Sequence, residues 1–350
     1  MTKENQTKNS RFQELDALRG IAALMVVIFH FTRGKVSEDS ILNFGTTGVD
    51  LFFIISGFVI FMSLTRVKRG IDFVINRFSR LYPTYWTVVS LTFILILFKT
   101  YIDNQPFEMS LIGQYLGNMT MFQFYMRIPN LDGPYWTMIV EMLFYIIILL
   151  FFQLKVLKWL NPVGIVVILF VLLGSHFAFD NFLLRALIYG IPLLQFLPLF
   201  LAGTVFYKLH LSNEGVVGKT LLLLFCLVSQ VLLYHIAGSS LNYISQAEYG
   251  LMLTVYFGLF WLFITDRLSF VVSKPSLFLG KISYALYLVH QFVATGLIIP
   301  YFNKELGLNF WIVAIFIALP VVIGLATIIT FMIEVPLSAT MKAKLRFLAS

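Results

Sequence analysis

Residues 309–333 read NFWIVAIFIALPVVIGLATIITFMI and contain no charged side chain. A helix needs about 20 mostly apolar residues to cross a bilayer, so this stretch predicts a transmembrane helix. The whole chain of 350 residues is of the same kind, with 59% hydrophobic and only 12% charged residues. A soluble domain carries about 25% charged residues. The composition therefore excludes soluble, disordered and coiled-coil chains and predicts an integral membrane protein.

Further apolar runs of similar length predict a polytopic, all-α transmembrane helix bundle of about ten spans. The candidate spans are 15–33, 47–65, 81–99, 136–154, 162–179, 186–207, 219–237, 249–265, 281–300 and 309–333. The sixth is interrupted by Pro192 and Pro198, which membrane helices tolerate where neighbours satisfy the freed backbone groups. We expect a cytoplasmic tail at 1–14, one transmembrane domain at 15–335 and a basic cytoplasmic tail at 336–350.

The lysines and arginines indicate the orientation of the spans. If both termini are cytoplasmic, most of the 25 basic residues fall on the inner side, as the positive-inside rule requires. Basic residues on the inner side explain the net charge of +8, so we expect no nucleic-acid partner. Asp16 and Arg19 interrupt the entry to the first span, so we expect no cleaved signal peptide.

Neither a disulfide nor a metal site is expected. Cys226 is the single cysteine and lies in the apolar run LLLLFCLVSQVLLY at 221–234, which excludes an intrachain disulfide and a cysteine-based zinc site. The five histidines are scattered and lack the spacing of metal ligands.

Ionisable residues inside the predicted spans are functional candidates, because hydrocarbon disfavours them. In the first span, Arg19 and His30 fall within about 20° of one helix face; the alternative is an interfacial pair of Arg19 with Asp16 and a histidine bonded to a neighbouring helix. Asp50, near the outer end of the second span, could orient an imidazole, or could instead interact with the helix dipole. Glu141 lies about two turns into the fourth span, and a structural hydrogen bond is the alternative to a catalytic role.

Two further groups have both functional and structural interpretations. Arg77 and Arg80 share a helix face if this segment is helical, and arginine forks suit phosphate; ordinary positive-inside anchoring is the alternative. Tyr287 and His290 are neighbours one turn apart in the ninth span. For these two, a place in the core is the alternative to a place in a site.

Five short blocks follow one another along most of the chain. They are RFQELDALRGIAALMVVIFH at 11–30, GVDLFFIISGFVI at 48–60, FVINRFSRLYPTYW at 73–86, YWTMIVE at 135–141 and KISYALYLVH at 281–290. In this order they resemble the acyltransferase-3 family of bacterial membrane O-acyltransferases. The chain departs from the family pattern at Thr137, where serine is common, and at Lys281, where arginine is frequent. Many relatives carry an appended SGNH-type hydrolase-like domain, and we expect none here.

The resemblance implies that an acyl group, usually acetyl from acetyl-CoA, is moved from the cytoplasm to a glycan hydroxyl. It implies that His30 is catalytic as part of the family's Arg-x₁₀-His pair. Arg77 and Arg80 match the family's Arg-x-x-Arg, with a role at the acyl donor. We expect catalytic roles for His30, Glu141 and Asp50, donor binding by Arg77, Arg80, Arg19 and Lys281, and substrate binding by Trp136 and Tyr287.

The expected partners follow from the same resemblance. Acetyl-CoA or another acyl-CoA is a co-substrate rather than a permanently bound cofactor. The acceptor is a cell-envelope carbohydrate, with lipopolysaccharide and exopolysaccharide sugars and lipid-linked forms among the candidates. The expected location is the bacterial cytoplasmic (inner) membrane. The alternative is a transporter or flippase of a glycan or acyl compound, whose pathway the same charged residues would line without covalent chemistry.

Overall fold

A computed structural model describes residues 12–178, 180–237 and 241–349, which are almost entirely helical and include no β-strand. Within these ranges, nine helices are long and apolar enough to cross a membrane. The all-α, polytopic fold predicted from the sequence is confirmed. Most of the expected N-terminal tail at 1–14 lies outside the described residues.

Apart from short 3₁₀ segments, the described residues form twelve helices. They are α1 Gln13–Thr32, α2 Gly48–Thr65, α3 Gly70–Ile102, α4 Ser110–Asn118, α5 Trp136–Gln153, α6 Leu160–Phe177, α7 Phe182–Gly190, α8 Leu197–Leu211, α9 Val216–Leu232, α10 Gln246–Ile264, α11 Lys274–Glu305 and α12 Phe310–Leu348. The last two contain π-helical turns, at Phe292–Ile298 and Tyr301–Glu305 in α11 and at Val313–Ala318 and Ile329–Glu334 in α12.

The predicted sixth span, 186–207, is not a continuous helix. Helix α7 ends at Gly190, a 3₁₀ turn follows at Pro192–Gln195, and α8 begins at Leu197 with Pro198 in its first turn. Pro192 and Pro198 lie in the first turns of the 3₁₀ segment and of α8, where the N–H that proline lacks would have no intrahelical acceptor. The longest helical piece in this region is therefore α8, with 15 residues.

Two other helices extend beyond their predicted bounds. Helix α3 begins at Gly70 rather than near residue 81, so the arginines of the third block lie inside it and share a face. Helix α12 continues through the expected C-terminal tail as far as Leu348. Both extensions place basic residues on helices rather than on loops.

The chain divides into two compact units, and the first comprises residues 1–29, 34–70 and 140–280. Within it, α2 and α8 cross in close backbone contact. A Cβ atom on Gly57 would lie 2.2 Å from the carbonyl oxygen of Phe200, and one on Gly203 would lie 2.2 Å from that of Ile54. Glycine at both positions lets the two backbones touch, as is typical of membrane helices.

The second unit comprises residues 30–33, 71–139 and 281–350. It contains the segment between α3 and α5, which two side chains of α3 hold against that helix. The Tyr82 hydroxyl donates to the carbonyl oxygen of Thr120 at 3.1 Å, and the Trp86 indole donates to that of Met119 at 2.9 Å. The Tyr284 hydroxyl of α11 also donates to a residue of α3, to the carbonyl oxygen of Leu81 at 3.2 Å. These bonds fix the loop and α11 against one helix.

Candidate active site

Two imidazoles meet inside the second unit. His30 lies in the last turn of α1, and His290 lies in α11 with its side chain completely buried. Nε2 of His290 is 3.1 Å from Nδ1 of His30, which is hydrogen-bond distance. The ring planes are inclined by 55°, with centroids 5.0 Å apart, so the rings are not stacked. The arrangement joins the predicted catalytic histidine to a second histidine through their ring nitrogens.

The position of His30 favours acid–base chemistry. The end of a helix carries a partial negative charge, which stabilises a cation in the last turn. His30 is only half-buried, whereas its partner has no exposed surface. His30 is therefore the ring of the pair that a substrate can reach.

Tyr287 connects this histidine pair to the start of α5. Its backbone carbonyl oxygen lies 2.8 Å from Nδ1 of His290. Its hydroxyl donates to Thr137 Oγ1 at 3.1 Å, and the Thr137 hydroxyl in turn donates to the carbonyl oxygen of Pro134 at 3.0 Å. Tyr287 thus contacts both the histidine pair and the turn next to Trp136. Tyr287 and Trp136 are the two predicted substrate-binding residues.

Asp132 fastens the same region from the loop before α5. One carboxylate oxygen accepts from the backbone N–H of Gly133 at 2.8 Å, and the other accepts from that of Phe292 at 3.0 Å. Phe292 is where α11 passes into its first π-helical turn, and such turns are frequent at functional sites. Burial raises the pKa of Asp132 to about 7, against the lowering effect of its two N–H donors.

Basic residues gather at the first turns of α3. The Arg77 guanidinium lies over the Phe73 ring, 5.5 Å from its centroid, and Arg80 follows one turn later. Arg346 of α12 donates to Asn76 Oδ1 at 3.4 Å, which adds a cation from the C-terminal helix. The predicted donor-binding arginines therefore share this end of the unit with a residue that the sequence places far away.

Lys281 lies near the same end of this unit as Arg77 and Arg80. It is exposed and precedes Tyr284 by one turn, and Tyr284 bonds to the residue after Arg80. Along α11, Lys281 and His290 are separated by about 14 Å at 1.5 Å per residue. The basic residues and the histidine pair thus lie in the same unit but are separated along α11.

The other predicted site residues lie in the first unit. Asp50 is almost fully buried and accepts a 2.7 Å hydrogen bond from the Tyr249 hydroxyl, which also takes one from Gln230 Nε2 at 3.2 Å. Glu141 accepts from the Tyr145 hydroxyl and, at 3.4 Å, from Ser56. A role of either carboxylate in orienting His30 stays a prediction.

Sequence reasoning left the role of His290 open and missed that of Asp132. His290 closes the KISYALYLVH block, so its place in a motif was a usable signal, but its partner lies 260 residues away. Asp132 stands in a loop where carboxylates are ordinary. Nothing in its local sequence distinguishes it from a solvent-exposed residue.

These features define a class: a multi-pass helical membrane protein with two hydrogen-bonded imidazoles, one buried and one half-buried. Comparison with known proteins makes the class specific. The chain belongs to the acyltransferase-3 family, whose model, described as an acyltransferase domain, matches residues 12–331.

A curated relative agrees with this assignment. The chain is 27% identical over 288 residues to a protein of Acidianus two-tailed virus named "Putative acetyltransferase ORF330", and the match covers 78% of this chain and 80% of the viral protein. No solved structure matches the chain. The family and the fold together identify a membrane acyltransferase.

Proposed function

We propose that this protein transfers an acyl group, acetyl in the first instance, from acyl-CoA to a hydroxyl of a carbohydrate acceptor. His30 acts as the general base. The observation that carries the proposal is the 3.1 Å bond between His30 and His290, because a base must be held in one orientation to accept a proton efficiently. The family membership and the printed name of the viral relative support the acyl-transfer chemistry.

The reaction is a single displacement at the thioester carbonyl. The acceptor oxygen attacks the carbonyl carbon while its proton passes to His30, which gives a tetrahedral oxyanion. The oxyanion collapses, the carbon–sulfur bond breaks, and the proton on His30 passes to the departing sulfur. The products are an ester and CoA with a free thiol, and the imidazole returns to its neutral form.

The basic end of α3 is the proposed binding site for the phosphates of CoA. Arg77 and Arg80 share one helix face, with Arg346 beside them and Lys281 at a similar height. Arginine binds phosphate oxygens through two parallel N–H donors. The distance of about 14 Å along α11 from Lys281 to His290 suits a donor whose thioester lies at the end of an extended pantetheine arm. Arg19, in the other unit, stays a proposed donor residue on its motif alone.

The acceptor end is the loop before α5 with the Tyr287–Thr137 bond. Buried hydroxyls and amides of this loop can exchange hydrogen bonds with sugar hydroxyls, and Trp136 offers an aromatic face to a sugar ring. In the proposed topology both termini and the basic end face the cytoplasm. The carbohydrate is then a cell-envelope glycan at the opposite end.

The test is acyl transfer by the purified full chain in lipid nanodiscs. Acetyl-CoA with a labelled acetyl group is incubated with a panel of envelope glycans, and the wild type is compared with His30→Ala and with His176→Ala. We expect alkali-labile label on a glycan, lost by a factor of about 10² to 10⁴ in His30→Ala. The His176→Ala variant controls for the loss of an imidazole elsewhere and should retain the activity.

Two outcomes would overturn the proposal in different ways. Full activity of His30→Ala would remove the base role while leaving the acyltransferase intact. Passage of a glycan across the membrane without covalent change, and without dependence on acetyl-CoA, would identify a transporter instead.

A further inference from the structure

The hydrogen-bond partners of His290 fix where its proton lies. Its Nδ1 is 2.8 Å from the carbonyl oxygen of Tyr287, and a carbonyl oxygen can only accept. Nδ1 of His290 therefore carries the hydrogen. The ring is completely buried and faces another imidazole, so the neutral form is the one that this environment stabilises.

The position of the hydrogen on His290 determines the position of the hydrogen on His30. In neutral His290 with hydrogen on Nδ1, Nε2 has a lone pair and accepts. The atom 3.1 Å away, Nδ1 of His30, must then be the donor. With its hydrogen on Nδ1, neutral His30 has its lone pair on Nε2.

We propose that His290 is a positioning residue that holds His30 in the tautomer whose Nε2 is the catalytic base. The proposal rests on the acyl transfer proposed above and deepens it by naming the atom that takes the acceptor's proton. In water a neutral imidazole favours the opposite tautomer, with hydrogen on Nε2. Without His290, the nitrogen that should accept the proton would be protonated for much of the time.

The neutral partner has a chemical consequence. A carboxylate in this place would attract the imidazolium that forms during the reaction and would hold its proton strongly. A neutral imidazole orients the base and accepts its N–H without adding a buried negative charge. His30 can then pass the proton on to the departing sulfur.

The experiment compares His290→Ala with His290→Gln in the full chain in nanodiscs. A glutamine amide can accept from Nδ1 of His30 through its oxygen, whereas alanine cannot. We expect His290→Ala to lower kcat for acetyl transfer about 10- to 100-fold, with little change in the KM for acetyl-CoA, and His290→Gln to recover a measurable part of the loss. His235→Ala serves as the control for removing a histidine outside the site.

A spectroscopic measurement separates this role from a merely structural one. In ¹⁵N-histidine-labelled protein, the His30 signals are assigned by their loss in His30→Ala. We expect Nδ1 to be the protonated nitrogen in the wild type and in His290→Gln, and the proton to move largely to Nε2 in His290→Ala. An unchanged tautomer in folded His290→Ala would overturn the proposal.

Kinetic outcomes distinguish this inference from the proposed function. If His30→Ala is inactive but His290→Ala has the turnover of the wild type, positioning by His290 is wrong and the base role of His30 stands. If His30→Ala is itself fully active, the proposed base role fails first. Equal losses in His290→Ala and His290→Gln, with the His30 tautomer unchanged in both, would also contradict the positioning role.

Discussion

The carboxylate of Asp132 accepts a hydrogen bond from the backbone N–H of Phe292, two residues beyond His290. Its second oxygen accepts from Gly133, so one side chain joins the loop before α5 to the turn of α11 that carries the histidine. The carboxyl is nearly buried, at 6% exposure. The orientation of His290 therefore depends on a group that can titrate.

The first prediction concerns pH. Burial raises the pKa of Asp132 from 3.8 to about 7 in the folded protein, so the folded state binds this proton more tightly than the unfolded chain does. The resulting stabilisation is fully present below about pH 4 and is lost as the pH rises to about 7. Its size is on the order of 4 kcal/mol or less.

The measurement is the midpoint of thermal unfolding for the wild type and for Asp132→Asn across this pH range. The difference between the two proteins isolates Asp132 from all other titrating groups. We expect the wild type to lose stability relative to Asp132→Asn between about pH 4 and about pH 7. A difference that does not change with pH would contradict the prediction.

The second prediction concerns the Tyr287–Thr137 bond. Thr137→Ser keeps the hydroxyl that accepts from Tyr287, so its stability and activity should be close to those of the wild type. Thr137→Val has nearly the same shape but leaves the buried Tyr287 hydroxyl without this acceptor. It should lower the free energy of unfolding by about 1–3 kcal/mol. Comparable stability of the two variants in denaturant or thermal unfolding would show that the bond contributes nothing.

The third prediction concerns the donor-binding arginines. Arg77→Gln should raise the KM for acetyl-CoA about tenfold, since a hydrogen bond to a charged group contributes about 1.5–3 kcal/mol, with little change in kcat. Lys99→Gln is the matched control. It removes one positive charge from the other end of the same helix, where Lys99 pairs with Asp103 at 2.5 Å.

Salt gives an independent check on the same pair of variants. Rising ionic strength screens the attraction between arginine and phosphate, so the KM of the wild type should rise toward that of Arg77→Gln. An equal increase of KM in Arg77→Gln and Lys99→Gln at low salt would argue against a local phosphate site.

The fourth prediction concerns the crossing of α2 and α8. A Cβ on Gly57 would lie 2.2 Å from a backbone carbonyl oxygen, so Gly57→Ala must push the two helices apart and should cost about 1–3 kcal/mol or more. Gly258 lies inside α10, and a Cβ there would meet nothing within 4 Å. Gly258→Ala should be neutral or stabilising by up to about 1 kcal/mol, because alanine favours helix. Thermal unfolding of both variants tests the contrast, and equal stabilities would refute it.

Most of the fold follows from the sequence because the bilayer imposes a length and a composition on each span. Stretches such as 309–333 satisfy both conditions on their own, and long helices cover nine of the ten candidate spans. The exception is the predicted span 186–207, which has enough apolar residues but also contains Pro192 and Pro198. Hydropathy measures only how apolar a stretch is and takes no account of the N–H that proline lacks. Hydropathy also misses the start of α3 at Gly70, because the first turns of this helix are too polar to count as membrane-spanning.

The candidate site is less accessible to sequence reasoning. Individual residues such as His30 and Arg77 stand out because charge and imidazole are rare in spans. Their partners do not, because a hydrogen bond between helices can join any two positions at the same depth. Nothing in the sequence alone pairs His30 with His290, or Asp132 with the N–H of Phe292.

Helix α8 has a further consequence for how this protein meets its membrane. At 15 residues it is about 22 Å long, shorter than a hydrocarbon core of about 30 Å. Yet nearly every side chain from Pro198 to Leu209 is buried. A helix that touches protein on all sides has no lipid to match, so its length is not set by the thickness of the bilayer. Transfer into a thinner or thicker membrane should strain the outer helices and leave α8 unaffected.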